Sequence, residues 1–237
     1  MTTTKKLKLG LVGAGGRMGT EVRKLLAESR FSARIELVAA PGADDPLDPL
    51  FDADVWLEFS SPKAVTLLLA EAERRKTKIP FVIGTTGWSP DEDAAVLASA
   101  KTMPILRASN FSLGVFLCRA ALRDWAGYPE LADWRVTMRE LHHTRKKDAP
   151  SGTALSLREA LGREIAITSV REGDIVGIHE VILESATEKL TLVHEAKSRA
   201  VFAEGALEAA IRLARATPGM LPKRVLGLED LYLSRGA

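Results

Sequence analysis

The first half of the chain sets short apolar runs between stretches of helical spacing. Leu7 to Val12 is an apolar run closed by glycines and predicts a buried parallel strand. Ile35–Ala40, Val55–Phe59, Phe81–Ile83 and Ile105–Arg107 predict four more strands. Between them, Thr20–Ser29 carries Val22, Leu25 and Leu26 on one helical face, and the stretch from Pro62 towards Arg75 and Asp91–Ala100 also read as helices. Pro62 stands at a first-turn position, where its missing N–H costs nothing. Strands alternating with helices predict an α/β unit of Rossmann-like type, a doubly wound parallel sheet with helices on both faces.

The rhythm changes near Ser112. Helices are predicted at Leu113–Ala126, Ser151–Leu161 and Leu207–Ala216, and strands at Trp134–Leu141, Ile165–Arg171, His179–Ser185 and Lys189–Ala196. Consecutive strands with few helices between them imply a second α+β domain on a mixed or antiparallel sheet. No flexible linker marks the boundary.

Composition narrows the class. With 46% hydrophobic residues, 27% charged and a net charge of +2, the chain is an ordinary globular sequence with no electrostatic reason to bind nucleic acid or a membrane surface. The polar, lysine-bearing segment Met1–Lys8 lacks a signal-peptide core, and no apolar run approaches the roughly 18 residues of a membrane span. Cys118 is the one cysteine, set among Val115, Phe116 and Leu117. It reads as a small buried apolar residue, and the expected compartment is the cytoplasm. No His, Cys, Asp or Glu spacing resembles a structural zinc site, so no metal is expected.

Two segments carry chemistry. The first is Leu9-Gly10-Leu11-Val12-Gly13-Ala14-Gly15-Gly16-Arg17-Met18-Gly19. A tight turn after a buried strand, opening a helix whose first amides meet a pyrophosphate, needs residues without a Cβ. Gly13, Gly15 and Gly16 supply the turn, and Gly19 lets the helix pack on the strand. The spacing is G-x-x-G-x-x-G. A glycine pattern alone also suits a tight turn in some other α/β protein, but the surrounding βα repeat points to a nicotinamide dinucleotide. The acid that binds the adenosine ribose about 20 positions on is missing from Ala39-Ala40-Pro41-Gly42-Ala43, and Asp44 and Asp45 come slightly late. Arg17 is placed to face the adenine or a 2′-phosphate. NADH and NADPH both stay open.

The second segment runs from Glu140 to Thr153 and contains two of the four histidines, His142 and His143, beside Arg145-Lys146-Lys147. Ser151-Gly152-Thr153 opens a helix and presents amides and hydroxyls to an anion. The bland alternative is a solvated basic loop before a capped helix. The pairing of histidines, cations and a helix entry instead suggests a site for a small carboxylate, with His142 or Lys146 as proton donor. His179 and His194, single histidines in strands, read as structural.

Gly13–Gly19, Gly84-Thr85-Thr86-Gly87, Asn110-Phe111-Ser112, the run Glu140-x-His142-His143-x-x-Lys146-x-Asp148-Ala149-Pro150-Ser151-Gly152-Thr153, Gly173–His179 and Ser198-Arg199 together resemble the 4-hydroxy-tetrahydrodipicolinate reductase (dihydrodipicolinate reductase) family along almost the whole chain. The resemblance implies NAD(P)H-dependent reduction of an unsaturated dicarboxylate in diaminopimelate and lysine biosynthesis. His142 and Lys146 would be catalytic, with His143, Ser151, Gly152 and Thr153 holding substrate carboxylates. Gly13, Ala14, Gly15, Gly16, Arg17 and Met18 would bind the cofactor, with Gly84, Thr85, Thr86, Ala108, Ser109, Asn110 and Phe111 bordering its ribose and nicotinamide. It further implies a homotetramer built through the second domain's sheet. It also implies a C-terminal segment that returns to the first domain, giving domains 1–111 plus 200–237 and 112–199. A dinucleotide sensor without turnover, the competing class, would not need the His-His-x-x-Lys and Ser-Gly-Thr elements.

Overall fold

The computed structural model describes residues 5–28, 30–217, 219 and 221–233. Ser29, the end of the helix predicted over 20–29, lies outside these residues, as do 1–4 and, in the C-terminal segment, Pro218, Met220 and 234–237. The chain divides into two compact units, Met1–Phe111 with Phe202–Ala237, and Ser112–Val201.

In the first unit, β1 (Leu7–Val12), β2 (Ile35–Ala39), β3 (Val55–Glu58), β4 (Phe81–Ile83) and β5 (Ile105–Arg107) form a parallel sheet in the order β2-β1-β3-β4-β5. Helices α1 (Arg17–Glu28), α2 (Pro62–Arg74) and α3 (Pro90–Ser99) make the crossovers. Every residue of β3 and β4 is buried, which explains why they read as unbroken apolar runs rather than alternating ones. Trp56 anchors this core. Its indole N–H donates to the Leu50 carbonyl at 2.7 Å, and its ring meets Phe51 and Phe81 edge-on. The Ser61 hydroxyl caps α2 through the Ala64 amide, and Ser89 forms a capping box with Glu92 on α3.

Helix α6 (Ala200–Arg215) begins at Ala200 rather than at the predicted Leu207. Gly205 interrupts the sequence pattern there, yet the helix runs through it. A Cβ at Gly205 would lie 1.8 Å from the Phe111 carbonyl oxygen, so close backbone approach overrides the roughly 1 kcal/mol helix cost of glycine. Beyond α6, Leu226 extends the sheet by bonding β5: Arg107 N–H donates to Leu226 O at 3.0 Å and Leu226 N–H to Ile105 O at 2.8 Å. A short helix α7 (Leu228–Tyr232) follows, where the sequence pattern predicted no element.

The second unit holds the predicted mixed sheet, β6 (Arg135–His142), β7 (Ala166–Arg171), β8 (Gly177–Glu184) and β9 (Lys189–Ala196), in the order β7-β6-β8-β9. The β6–β7 pair is parallel and the other two are antiparallel. Helices α4 (Leu113–Trp125) and α5 (Gly152–Leu161) pack on it through Leu122, Leu157, Val136, Met138, Val181 and Leu183. Cys118 is a buried free thiol in that core, and burial pushes its pKa up. No helix among the described residues is long and apolar enough to cross a membrane.

Candidate active site

Strand order reverses between β1 and β3, and in open α/β sheets ligands lie beyond the carboxyl ends of the strands at such a point. The glycine turn sits there. Gly13 takes φ +82°, and a Cβ on it would press the Phe59 carbonyl at 2.5 Å. At Gly19 a Cβ would meet Gly13 O at 2.2 Å, so α1 can start hard against the turn only with glycine there. Gly15 differs: nothing lies within 4 Å of where its Cβ would be. Gly15, Gly16 and Arg17 are exposed, Met18 is half-buried and Ala14 is buried. An open cradle of this kind, in front of helix amides that have no intrahelical partner, fits the pyrophosphate of a dinucleotide.

The tips of the next strands are tied to one another. Glu58, fully buried at the end of β3, accepts from the Ser60 hydroxyl and the Thr85 hydroxyl, both at 2.7 Å, and from the Ser60 amide. Burial pushes its pKa up, against the pull of those hydrogen bonds. The Phe59 ring lies over Gly84, where a Cβ would collide with it at 2.1 Å, and meets Phe111 edge-on at 5.9 Å. Thr86 and Ser109 are exposed, while Ala108 and Asn110 are half-buried. The segments Gly84–Thr86 and Ala108–Phe111 therefore line one rim of the sheet. No acid stands at the end of β2, and the carboxylate of Asp45, a few residues on, turns back to accept from the Gly42 amide at 2.7 Å.

In the second unit the helix-facing side of the sheet changes character along its length. Val136, Met138, Val181 and Leu183 give way to Glu140, His142, His179 and His194. Register sets this row: Ser169, Glu140, His179 and His194 face one another across the four strands. Glu140, His142 and His179 are buried. His142 Nδ1 lies against Glu140 Oε2, and Arg171 donates to Glu140 Oε1 at 2.8 Å. Burial raises the Glu140 pKa, but Arg171, Ser169 and the His142 charge outweigh it and hold the carboxyl below its usual range. Burial lowers His142, with Lys146 and Arg171 adding to it and Glu140 opposing. His179 falls to about 4, through burial first and then the neighbouring imidazoles.

His142 and His179 rings meet edge-to-face at 5.2 Å, and the histidines of β8 and β9 each reach a helix cap: His179 Nε2 lies 3.1 Å from Ser151 Oγ and His194 Nε2 3.1 Å from Ser112 Oγ. Both serines are the N-caps of their helices, accepting from Ala154 and Val115. Ser151 is thus committed to the helix start and to His179. Gly152 beside it is exposed, with nothing within 4 Å of an added Cβ, so the opening of α5 is uncovered, as Gly15 is in the turn before α1. The loop after β6 is pinned to the β7–β8 loop by His143 N–H to Ile175 O at 2.7 Å and Arg145 to Asp174 at 2.8 Å. Lys146 Nζ sits 2.8 Å from Asp148 Oδ2. His143 is half-buried, and burial together with Arg145, Arg199 and Lys146 lowers its pKa. Glu140, His142 and His179 bring donor atoms within 4.8 Å of one another. The Arg171 guanidinium on the same carboxylate puts a positive charge where a cation would bind, so a hydrogen-bonded network suits these groups better than a metal.

Comparison with known proteins settles the family. The model for the N-terminus of dihydrodipicolinate reductase matches residues 7–111, and that for its C-terminus matches 114–231. The chain belongs to the dihydrodipicolinate reductase family. The 4-hydroxy-tetrahydrodipicolinate reductase of Bdellovibrio bacteriovorus is 37% identical over 223 residues, 91% of this chain and 94% of that one. That of Stenotrophomonas maltophilia is 40% identical over 231 residues, 90% and 94% of the two chains. In fold, the solved structure of a dipicolinate-bound dihydrodipicolinate reductase from Paenisporosarcina sp. TG-14 matches with a TM-score of 0.75 at 20% identity, over 95% of this chain and 99% of that one.

Sequence reasoning gave no role to three residues that the structure puts at the centre, Glu58, Glu140 and Arg171, although Glu140 heads the motif segment. Glu58 and Glu140 had a readable signal, since each is an acid in register with buried apolar strand positions. Arg171 had none. It stands 31 positions from Glu140 in sequence and meets it only because β6 and β7 pair with His142 opposite Arg171. His179, read as structural, lies in direct ring contact with His142.

Proposed function

We propose that this chain catalyses the NAD(P)H-dependent reduction of 4-hydroxy-tetrahydrodipicolinate to tetrahydrodipicolinate, a cytoplasmic step towards diaminopimelate and lysine. The observation that carries the reading is the buried Glu140–His142–His179 row beside the open N-terminus of α5 and the Lys146 loop, in a chain whose relatives bear the reductase's name.

A reduced nicotinamide, when bound, supplies the hydride. Gly13 to Met18 hold the pyrophosphate, and Gly84 to Thr86 with Ala108 to Phe111 border the ribose and ring. His143 and the amides of Gly152 and Thr153 hold the substrate carboxylates, while Ser151 fixes the start of the helix that offers those amides. Lys146 Nζ delivers the proton that balances the hydride, and His142 works with it as proton donor or acceptor. Overall, one hydride and one proton enter and the substrate hydroxyl leaves as water. The edge strand β9 exposes Leu190 and Val193, which supports assembly of a homotetramer through this sheet.

The test supplies substrate in situ from pyruvate and aspartate semialdehyde with the preceding synthase, and follows NADH and NADPH absorbance separately. Enzyme-dependent loss with at least one cofactor is expected. Lys146→Ala should lower kcat by roughly 10²- to 10⁴-fold with cofactor binding nearly intact. No turnover by the wild-type protein with either cofactor would overturn the reading.

A further inference from the structure

We propose that Glu140 and Arg171 are positioning residues that hold His142 and the Lys146 loop in one hydrogen-bonded frame: Glu140 fixes the imidazole's tautomer, and Arg171 ties that carboxylate to the loop backbone. This deepens the reductase reading and rests on it.

The geometry is continuous. Glu140 is fully buried, and one of its oxygens faces His142 Nδ1 while the other takes the Arg171 guanidinium. The same Arg171 nitrogen donates to the Asp148 carbonyl at 2.5 Å, and the Asp148 carboxylate holds Lys146 Nζ at 2.8 Å. Both proposed catalytic groups therefore hang from one ion pair, of which Glu140 is buried and Arg171 half-buried. Glu140 Oε2 and His142 Nδ1 are buried against one another as an ion pair, and neither makes a hydrogen bond of regular geometry among the described residues. A carboxylate is an acceptor only, so Nδ1 carries the proton, and Nε2 is the nitrogen left to exchange one. Space in front of Nε2 is kept by Gly177, where a Cβ would stand 3.0 Å away.

The charges facing His142 come from every element around it: Glu140 on its own strand, Arg171 on β7, His179 on β8 with His194 behind it on β9, and Lys146 on the following loop. Glu140 favours the protonated ring, whereas Arg171 and Lys146 disfavour it. Removing the two members of the pair must then move the ring's titration in opposite directions. That sign difference reports the charges that face the ring, while positioning is read separately, as a fall in kcat with KM held and its rescue by the conservative variant.

The experiment is long-range ¹H–¹⁵N NMR of the four imidazoles in the full chain, together with pH profiles of kcat and KM. Glu140→Gln keeps an acceptor for Nδ1 but removes the charge. It should lower the His142 titration by about one pH unit and kcat roughly tenfold, with KM changed less than about twofold. Arg171→Met should raise the same titration, and Glu140→Asp should restore most of kcat and the wild-type titration. His179 and His194 resonances report whether the sheet is intact. Should Glu140→Gln not fold, the upward movement in Arg171→Met decides the matter alone. His142 unmoved in both variants, or moved the same way in both, overturns the proposal. Failure of the reductase reading is distinct from this, since it appears as absent turnover in the wild-type protein whatever the NMR result.

Discussion

Adding one methyl group to the glycine turn at two positions separates its two jobs. At Gly19 a Cβ would stand 2.2 Å from Gly13 O and 2.6 Å from Ala14 Cα. Non-bonded atoms rest near 3.5 Å, so the start of α1 must move by about 1 Å. Forcing backbone apart in a packed site costs about 3 kcal/mol at the upper end of overpacking. Replacing a helical glycine with alanine returns about 1 kcal/mol. Gly19→Ala should therefore lose about 2 kcal/mol, or roughly 4–8 °C in Tm for a chain of this size. At Gly15 nothing lies within 4 Å of the new Cβ. Gly15→Ala should keep stability within about 0.5 kcal/mol. Its methyl, however, stands where a pyrophosphate would meet the amides. Losing one or two charge-assisted hydrogen bonds, about 1–3 kcal/mol, raises the cofactor Kd roughly 5- to 150-fold. Differential scanning calorimetry and titration of reduced-nicotinamide fluorescence measure the two effects on the same samples. If Gly15→Ala binds NADH and NADPH as the wild type does, the pyrophosphate does not lie in this turn.

Two further outcomes follow from the second unit. His179 is buried, and burial depresses its pKa to about 4 from the ordinary imidazole value of about 6.5. Between those values the unfolded chain binds the extra proton, so the stability this residue contributes is complete above about pH 6.5 and is lost as the pH falls towards 4, by up to roughly 3 kcal/mol. Urea midpoints at pH 7.5 and pH 5 check this, and a midpoint that does not fall at the lower pH refutes it. Assembly through β9 predicts about four chain masses by light scattering, and Val193→Lys, placed on its exposed apolar position, should shift the protein to smaller species.

Much of the first unit was legible because each of its signals is local. A buried parallel strand needs a short apolar run, and a crossover helix needs a periodic one. Both lie within a few residues, so β1, β4 and β5 appear where the pattern puts them. The start of α6 was not legible. Its Gly205 is tolerated only because the Phe111 carbonyl comes so close, and that contact spans the sequence between the fifth strand and the last long helix. The candidate site divides the same way. His142, His143, Lys146 and Ser151–Thr153 stand in one segment and could be read as a cluster, whereas Glu58 bonding Thr85, and Arg171 bonding Glu140, join positions the sequence keeps apart.

By itself the sequence determined the α/β class, the glycine turn and the basic His–His–Lys segment with its family resemblance. Backbone sterics and helix-terminus chemistry act over a few residues and leave their mark there. Only the tertiary structure decided which groups surround His142. Strand pairing places Arg171 beside it and His179 opposite Glu140, and burial then sets their charges. Register is a property of two strands together, so neither strand's sequence states it alone.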